Sequence, residues 1–345
     1  MKKASIIGHF AFGKEYLDGQ TVKTKIVSRE LERRFGTQNV LNIDTHGGKK
    51  KLFLLPFEVF SALKKSVNVI ILPAHNGLRV IAPLLMLENK LFHRKLHYVV
   101  IGGWLSGFLR NKPILTRVLK NFNCIYVETN SMMRALLSQG FTNVQIMPNC
   151  KELNILAETD IAHPTSEPYR LCTFSRVMKE KGIEDAINAV RIVNEQFNRV
   201  VYTLDIYGQV DSSQTDWFEG LKSSFPDYVR YSGFVAYDNS VEILRNYFAL
   251  LFPTRFYTEG IPGTIIDAYA AGVPVISSKW ESFADIIDNG ITGIGYDFFD
   301  EYGLKTILMG IVDYTNIINN MRIACIERAK KFIPEEAMQK LVRQL

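Results

Sequence analysis

The 345-residue chain is 47% hydrophobic and 22% charged, which is typical of globular proteins and excludes disordered ones. A membrane-spanning protein is excluded as well, since no apolar run approaches the ~18 residues that cross a bilayer. Its net charge of +6 is uneven, because residues 1–163 hold 23 Lys and Arg against 11 Asp and Glu, whereas residues 164–345 hold 18 against 24. The basic half indicates an anionic partner such as a membrane surface or a lipid phosphate, although a merely basic soluble surface is the simpler alternative. No nucleic-acid-binding motif accompanies the charge, so nucleic acid is not expected as a partner.

β-branched runs alternate with amphipathic stretches along the chain. In the first half the pattern predicts strands at "ASIIG", "VLNID", "VNVIIL", "HYVVIG", "CIYVE" and "VQIMP", and the opening "MKKASIIGHF" is interpreted as the first strand, not as a signal peptide. In the second half it predicts strands at "YRLCTFS", "YTLDIYG", "VRYSGFV", "ALLFPT" and "VPVISS". Helices are predicted between them, for example at "IVSRELERRFG", "NSMMRALLSQGF" and "GIEDAINAVRIVNEQF". This alternation predicts an α/β protein with two Rossmann-like domains, each built on a doubly wound parallel sheet.

A linker is predicted at "LAETDIAHPTSEPYR", which is polar, lacks periodicity and contains Pro164 and Pro168. The predicted domains are therefore residues 1–163 and residues 164–331. Because ligands of such folds bind outside the carboxyl ends of the strands, we expect the two domains to face each other across a cleft.

Two basic residues follow the strand "YRLCTFS", in the loop before a helix predicted to start near Ile183. Arg176 offers a rigid guanidinium fork and Lys181 a point charge, and together they suit a diphosphate. A solvated basic loop is the alternative for such a pair, but a position at the carboxyl edge of a sheet favours ligand binding.

The stretch "EGIPGTIIDAYAAGVPVIS" carries two carboxylates and a tight turn at the start of a helix. Gly260, Pro262 and Gly263 form the turn, so the N–H groups of Gly263, Thr264 and Ile265 are predicted to open the helix and to be available to a sugar or a phosphate. Glu259 is expected at the helix mouth. Asp267, one turn further along, could accept hydrogen bonds from a ribose diol, or could merely complement the helix dipole.

These segments resemble retaining glycosyltransferases of family 4 (glycosyltransferase group 1), which have the GT-B fold. "FYTEGIPGTIIDAYAAGVPVISS" is similar to the E-x7-E motif of that family, "SRVMKEKGIEDAINAV" to its R-x4-K-G segment, and "VQIMPNCKEL" to its I-P-N-G strand end. "VETNSMMRALLSQGF" and "ADIIDNGITGIGYD" match further segments in the same order, and "GHFAFGKEYLDGQTVKTKIVSREL" resembles bacterial exopolysaccharide or capsule enzymes.

The resemblance implies roles for the matching positions. Arg176 and Lys181 would bind the donor diphosphate, Glu259 would contact the transferred sugar, and Asp267 would hold the ribose. The remaining donor contacts would come from the backbone at Gly260, Ile261, Pro262, Gly263 and Thr264, from Gly19 in the first domain, and from Gly233 and Phe234 beside the nucleobase. The last helix, about residues 332–345, would cross back onto the first domain.

Two departures from the family pattern concern Asp267 and the acceptor side. Asp267 stands where Glu is usual, so the ribose contact is expected to be looser or differently placed. Some relatives carry a histidine near the sugar where this chain has "GGWLSG", and His75 lies one loop earlier. His75 is either an acceptor-side residue or a core histidine, and His9 has the same two interpretations.

The predicted function is that of a hexosyltransferase-type enzyme (EC 2.4 class) that moves a sugar from a nucleotide-diphosphate sugar, of UDP or GDP type, to a glycan or lipid-diphosphate-linked acceptor in bacterial surface polysaccharide synthesis. No cofactor and no metal are expected, and the four scattered cysteines are expected to be buried thiols.

The protein is expected in the cytoplasm, with peripheral contact to the inner face of the plasma membrane through the basic first domain. The segment "FHRKLHYVVIGGWLSGFLRNKPILTRVLKNF", with Phe92, Trp104, Phe108 and Phe122, is the expected lipid contact, or else a core face. Two alternatives are a catalytically silent nucleotide-sugar-binding or scaffold protein, and a GT-B sugar-nucleotide epimerase.

Overall fold

The computed structural model describes residues 1–13, 19–236 and 239–345. The chain forms two compact units, one of residues 1–152 with 332–345 and one of residues 153–331. Residues 14–18, which belong to the segment "GHFAFGKEYLDGQTVKTKIVSREL", lie outside the described residues.

The first unit is built on a parallel sheet with the strand order β2-β1-β3-β4-β5-β6. The β-branched runs form these strands because their side chains fill both faces of a buried sheet. The six strands are β1 (Lys2–Gly8), β2 (Val40–Asp44), β3 (Ser66–Ile71), β4 (Lys95–Val99), β5 (Cys124–Val127) and β6 (Val144–Ile146).

Helices cover both faces of this first sheet. One face packs on α2, α3 and α5, and the other packs on α1 and on the end of the chain, where Met338 and Leu341 are buried against β1 residues. The helices of this unit are α1 (Gly19–Phe35), α2 (Gly48–Lys65), α3 (His75–Phe92), α4 (Leu105–Leu109), α5 (Pro113–Lys120), α6 (Asn130–Leu137), α15 (Pro334–Ala337) and α16 (Gln339–Gln344).

A buried ion pair lies under the carboxyl edge of the first sheet. The Lys23 ammonium, on α1, pairs with the Glu128 carboxylate, which directly follows β5. Lys23 also donates to the Val100 carbonyl at 3.3 Å, and the Gly102 N–H donates to Glu128 at 3.3 Å. Two opposite charges out of contact with water stabilise a fold only while both are present, because either one alone is left uncompensated.

We therefore expect Lys23→Met to lower the free energy of unfolding by about 3–5 kcal/mol. The double variant Lys23→Met/Glu128→Leu removes both charges and is expected to recover most of that loss, since an apolar pair of similar volume carries no unpaired charge. Urea unfolding of the full chain, followed by circular dichroism, measures both. A double variant as unstable as the single one would contradict this account of the pair.

The second unit repeats the same plan with the strand order β12-β11-β10-β7-β8-β9, all parallel. Its strands are β7 (Tyr169–Phe174), β8 (Tyr202–Tyr207), β9 (Val229–Gly233), β10 (Ala249–Phe252), β11 (Val275–Ser278) and β12 (Gly293–Tyr296). Its helices are α7 (Ile183–Phe197), α8 (Thr215–Lys222), α9 (Ser240–Leu244), α10 (Gly263–Ala270), α11 (Phe283–Ile286), α12 (Gly303–Ile311), α13 (Asn316–Asn320) and α14 (Arg322–Ala329). One face of this sheet packs on α7 and α12.

The boundary between the units falls earlier than the predicted linker. Residues 153–163 are held by the second unit: the Leu156 N–H donates to the Ala270 carbonyl at 3.0 Å, and Ile161 packs over Gly272. Just beyond them, Asn319 donates to the Pro164 carbonyl at 3.0 Å. The polar composition of the segment indicated a linker, but its backbone is anchored to α10 and to the turn that follows α10.

The aromatic segment predicted to contact lipid is only half open to solvent. Phe122 is buried in the core of the first unit, and Trp104, Phe108 and Phe92 pack against that core as partly buried residues. The core alternative therefore holds for this segment. Within the described part of the chain, no helix has both the length and the apolar character needed to cross a membrane.

Candidate active site

Four adjacent strands of the second sheet, β10, β7, β8 and β9, end at one edge. The segments that leave these strands carry Arg176 after β7, Gly208 after β8, Phe234 after β9 and Thr254 after β10. The carboxyl edge of such a sheet is where ligands of doubly wound folds bind, so it is the candidate active site of this unit.

Lys181 and Glu259 form an ion pair at this edge. The Lys181 ammonium lies 2.7 Å from Oε2 of Glu259, and the two side chains are 14% and 20% exposed. The Thr254 hydroxyl donates to the same carboxylate oxygen at 3.2 Å. Oε1 of Glu259 accepts no hydrogen bond from the described residues, so the carboxylate is fixed by one oxygen and keeps the other for a ligand.

The loop that carries Lys181 is held against the end of β10. Lys181 ends a 3-10 turn, Lys179–Lys181, and Gly182 follows with φ +69°. A Cβ on Gly182 would lie 2.0 Å from the Pro253 carbonyl oxygen, and the Arg255 N–H donates to the Glu180 carbonyl at 2.8 Å. Only glycine permits this approach, which brings the Lys181 ammonium next to the carboxylate that follows β10.

Arg176 lies at the same edge but is not part of the ion pair. Its guanidinium is exposed and lies 3.4 Å from the Asp211 carboxylate. Hydrogen bonds from Ser213, and the Arg176 charge to a smaller degree, hold the pKa of Asp211 below its ordinary value. Gly208 permits the backbone at Ser175, in the Arg176 loop, to pass close to the end of β8, since a Cβ on Gly208 would lie 1.7 Å from the Ser175 carbonyl oxygen. A long, weak contact between an exposed guanidinium and a half-buried carboxylate leaves the guanidinium able to turn toward an anionic ligand.

Helix α10 begins at Gly263, as predicted. The Ile265 N–H, predicted as a free donor, instead donates to the Pro262 carbonyl at 3.1 Å, because the first turn of the helix already closes there. The N–H groups of Gly263 and Thr264 precede that bond and remain available. The buried Thr264 hydroxyl has no hydrogen-bond partner among the described residues. The helix mouth therefore offers two N–H donors and one hydroxyl.

The other predicted donor-site residues lie near α10 and at the end of β9. Ile261 is buried, so only its backbone can serve a ligand, and Asp267 is buried on α10, one turn beyond the helix mouth. Gly233 ends β9 with φ +80° and Phe234 beside it is exposed.

The predicted residues of the first unit are placed separately. Gly19 is the first residue of α1. His75 is exposed at the start of α3 and its ring stacks on Trp104 with 3.8 Å between the centroids. Desolvation, followed by the charges of Arg79 and Lys112, lowers the pKa of His75. The core interpretation of His75 is thus wrong, whereas His9 is half-buried, with its Nδ1 2.7 Å from the Thr21 hydroxyl.

A cavity of about 240 Å³ lies beside the site, and Thr254 belongs to its lining. Its walls also carry the carboxylates of Asp185, Asp300 and Glu301, with Arg255 bound to Asp185 at 2.6 Å. Three carboxylates against one paired guanidinium disfavour a diphosphate, so the phosphates belong on the side of Lys181 and Arg176.

Sequence reasoning missed Thr254 and Gly208, and it gave Gly182 no role beyond its place in the R-x4-K-G segment. Thr254 orients Glu259, and the two glycines allow the loops after β7, β8 and β10 to touch. A glycine directly before the α7 pattern was the available signal for Gly182, but its partner, Pro253, is distant in sequence.

The chain is similar to known glycosyltransferases. Residues 168–305 match the family model "Glycosyl transferases group 1". The amylovoran biosynthesis glycosyltransferase AmsK of Erwinia amylovora is 24% identical over 293 residues, which cover 79% of this chain and 69% of AmsK. Glycogen synthase of Mycobacterium tuberculosis is 24% identical over 221 residues, 61% of this chain and 51% of that enzyme.

Among solved structures, Anabaena Alr3699/HepE in complex with UDP-glucose superposes with a TM-score of 0.74 at 13% sequence identity. The match covers 100% of this chain and 99% of HepE. At this level of identity the likeness concerns the fold.

Proposed function

We propose that this chain, which has the GT-B fold, is a group 1 glycosyltransferase that transfers a hexosyl group from a UDP-sugar, with retention of configuration, to a glycan or lipid-linked acceptor. The observation that carries this proposal is the Lys181–Glu259 pair at the carboxyl edge of the second sheet, next to the open N–H groups of α10. A cation, a carboxylate and a helix N-terminus in one place suit a ligand with a diphosphate and sugar hydroxyls.

Different residues of the site bind different parts of the donor, according to their charge. Lys181 and Arg176 bind the diphosphate, together with the N–H groups of Gly263 and Thr264. Oε1 of Glu259 accepts a hydrogen bond from a hydroxyl of the transferred sugar. Asp267 binds the ribose, and Gly233 and Phe234 border the base. The UDP-glucose bound to HepE supports uridine as the base, and GDP is the second candidate.

The reaction then needs little covalent participation from the protein. The acceptor oxygen attacks the anomeric carbon on the face that the diphosphate leaves, the bond from that carbon to the phosphate oxygen breaks, and the leaving phosphate takes the acceptor proton. Lys181, Arg176 and the helix N-terminus stabilise the negative charge that develops on the leaving group. Because these groups supply positive charge, we propose that no metal and no other cofactor is needed, and activity in the presence of EDTA is the check.

Gly19 and His75 are assigned to the phosphate and acceptor sides of the first unit, respectively. The similarity to AmsK supports a role in bacterial surface polysaccharide synthesis. The charge of residues 1–163 supports an acceptor presented at the cytoplasmic face of a membrane, to which the enzyme binds peripherally.

The test is hydrolysis and transfer measured with UDP-, GDP- and ADP-hexoses, together with the affinity for each free nucleotide. Arg176→Ala is expected to lower turnover by about a hundredfold, since removing one donor to developing charge costs on the order of 3 kcal/mol. Arg191→Ala is the matched control, because that arginine is on α7 and pairs with Glu195 on the same helix. Normal turnover in folded Arg176→Ala, or no turnover with any donor in the wild type, would refute the proposal.

A further inference from the structure

Helix α2 has phenylalanines on its outer face. Phe53, Phe57 and Phe60 are 78%, 70% and 43% exposed. Their spacing places them within an arc of about 60° around the helix axis. We call these three residues the phenylalanine stripe. Large apolar side chains repeated along one open helix face indicate a surface that is covered by something else.

The stripe is not required by the fold of the first unit. The opposite side of α2 carries Leu55, Val59, Ala62 and Leu63, which are buried against the sheet. A helix that packs on its own core normally has polar residues on the side away from it. Helix α2 is apolar on both sides, so its outer face is suited to contact with an apolar partner and not with water alone.

Lysines stand at both ends of the stripe. Lys49 and Lys50 precede it and Lys64 and Lys65 follow it, the latter two exposed. Glu58, the only acidic residue between residues 48 and 65, pairs with Lys51. Lysines therefore bracket the phenylalanines in the sequence, and Glu58, the one carboxylate of this helix, already pairs with Lys51.

The neighbouring helix extends the apolar surface. Phe60 meets Phe92, the last residue of α3, edge to face with 5.1 Å between the ring centroids. Leu87 and Leu91 on α3 are also exposed. The surface thus spans two packed helices of one face of the first sheet.

We propose that this surface docks the enzyme on an anionic lipid bilayer, with α2 lying in the plane of the interface. The phenylalanine stripe enters the boundary between headgroups and acyl chains, and the exposed Lys64 and Lys65 contact lipid phosphates. A second copy of the chain fits less well, because either orientation of two α2 helices brings lysines against lysines. This inference deepens the membrane association proposed above and does not depend on the transfer reaction.

Flotation of the full chain on phosphatidylglycerol/phosphatidylcholine vesicles, compared with phosphatidylcholine alone, tests the surface. The wild type is expected to float with the anionic vesicles only. Phe53→Ser/Phe57→Ser is expected to lower the partition constant by at least about tenfold, because each phenylalanine withdrawn from water contributes that much or more. Lys64→Gln/Lys65→Gln is expected to weaken binding most at low salt. Phe299→Ser, which removes an equally exposed phenylalanine of the second unit, is the matched control and is expected to float like the wild type.

Wild-type protein that stays with the soluble fraction at low salt would overturn the inference, and so would stripe variants that float normally. A stripe variant that alters the sedimentation coefficient of vesicle-free protein would assign the surface to contacts between copies instead. Donor hydrolysis in vesicle-free buffer separates the two proposals. A chain that floats but hydrolyses no nucleotide sugar refutes the proposed reaction and leaves the docking surface intact.

Discussion

Lys181→Ala is expected to lower the rate of sugar transfer by about a hundredfold or more while the protein stays folded. The Lys181 ammonium is the only cation that contacts Glu259 among the described residues, and it faces the edge where the donor diphosphate is proposed to bind. Without it, the charge on the leaving diphosphate loses its nearest partner. The fold loses less, because the pair is partly open to water and its removal costs about 1–2 kcal/mol.

Glu259→Gln distinguishes the role of Glu259 from that of Lys181. Glutamine keeps the shape of the side chain and an oxygen that can accept from Thr254, but it removes the carboxylate that is proposed to hold the sugar. Transfer should fall in this variant while UDP binds normally, whereas Lys181→Ala should lose UDP affinity as well. Calorimetric titration with UDP and a transfer assay on the same preparations give both readouts.

Lys179→Ala is the control for this experiment. Lys179 belongs to the same 3-10 turn, but its ammonium lies over the Trp217 ring, 5.8 Å from the centroid, and not at Glu259. Its replacement should leave UDP affinity and turnover within about twofold of the wild type, as for most surface changes. If Lys179→Ala and Lys181→Ala behave alike, general charge and not the Lys181–Glu259 geometry would explain the loss.

Much of the second unit could be predicted because its local and tertiary preferences agree. The β-branched runs at residues 169–174, 202–207 and 249–252 are strands in the structure, and the helix predicted near Ile183 begins there. The tight turn before Gly263 likewise predicted the start of α10, since proline fixes φ and glycine permits turn conformations that other residues avoid.

Contacts between distant loops could not be predicted in this way. Lys181 and Glu259 are 78 positions apart, and nothing in either segment states that they meet. Their contact depends on β7 and β10 being neighbours in the sheet, which is a property of the whole topology. Helices α2 and α3 show tertiary packing acting against a local preference. Each contains an internal proline, Pro56 and Pro83, which argues locally against a helix, and packing against the sheet overrides that preference.

Gly182→Ala is expected to destabilise the second unit by about 3 kcal/mol or more and to remove most transfer activity. Two effects add at this position. The backbone has φ +69°, which disfavours any residue with a Cβ, and that Cβ would stand 2.0 Å from a backbone oxygen, that of Pro253. The carbonyl cannot rotate away as a side chain could, so the turn that carries Lys181 must separate from the end of β10.

Gly310→Ala provides the comparison for a glycine that is not constrained. Gly310 lies in α12, and a Cβ there would meet nothing within 4 Å. Alanine should stabilise that helix by up to about 1 kcal/mol, because it restricts the unfolded chain and suits the helix. Thermal unfolding and transfer assays of both variants measure the difference. Because the proposed activity depends on the approach of the β7 loop to the β10 loop, Gly182→Ala should lose activity even at temperatures where it remains folded. A stable and fully active Gly182→Ala would show that Lys181 does not need this approach to reach the donor.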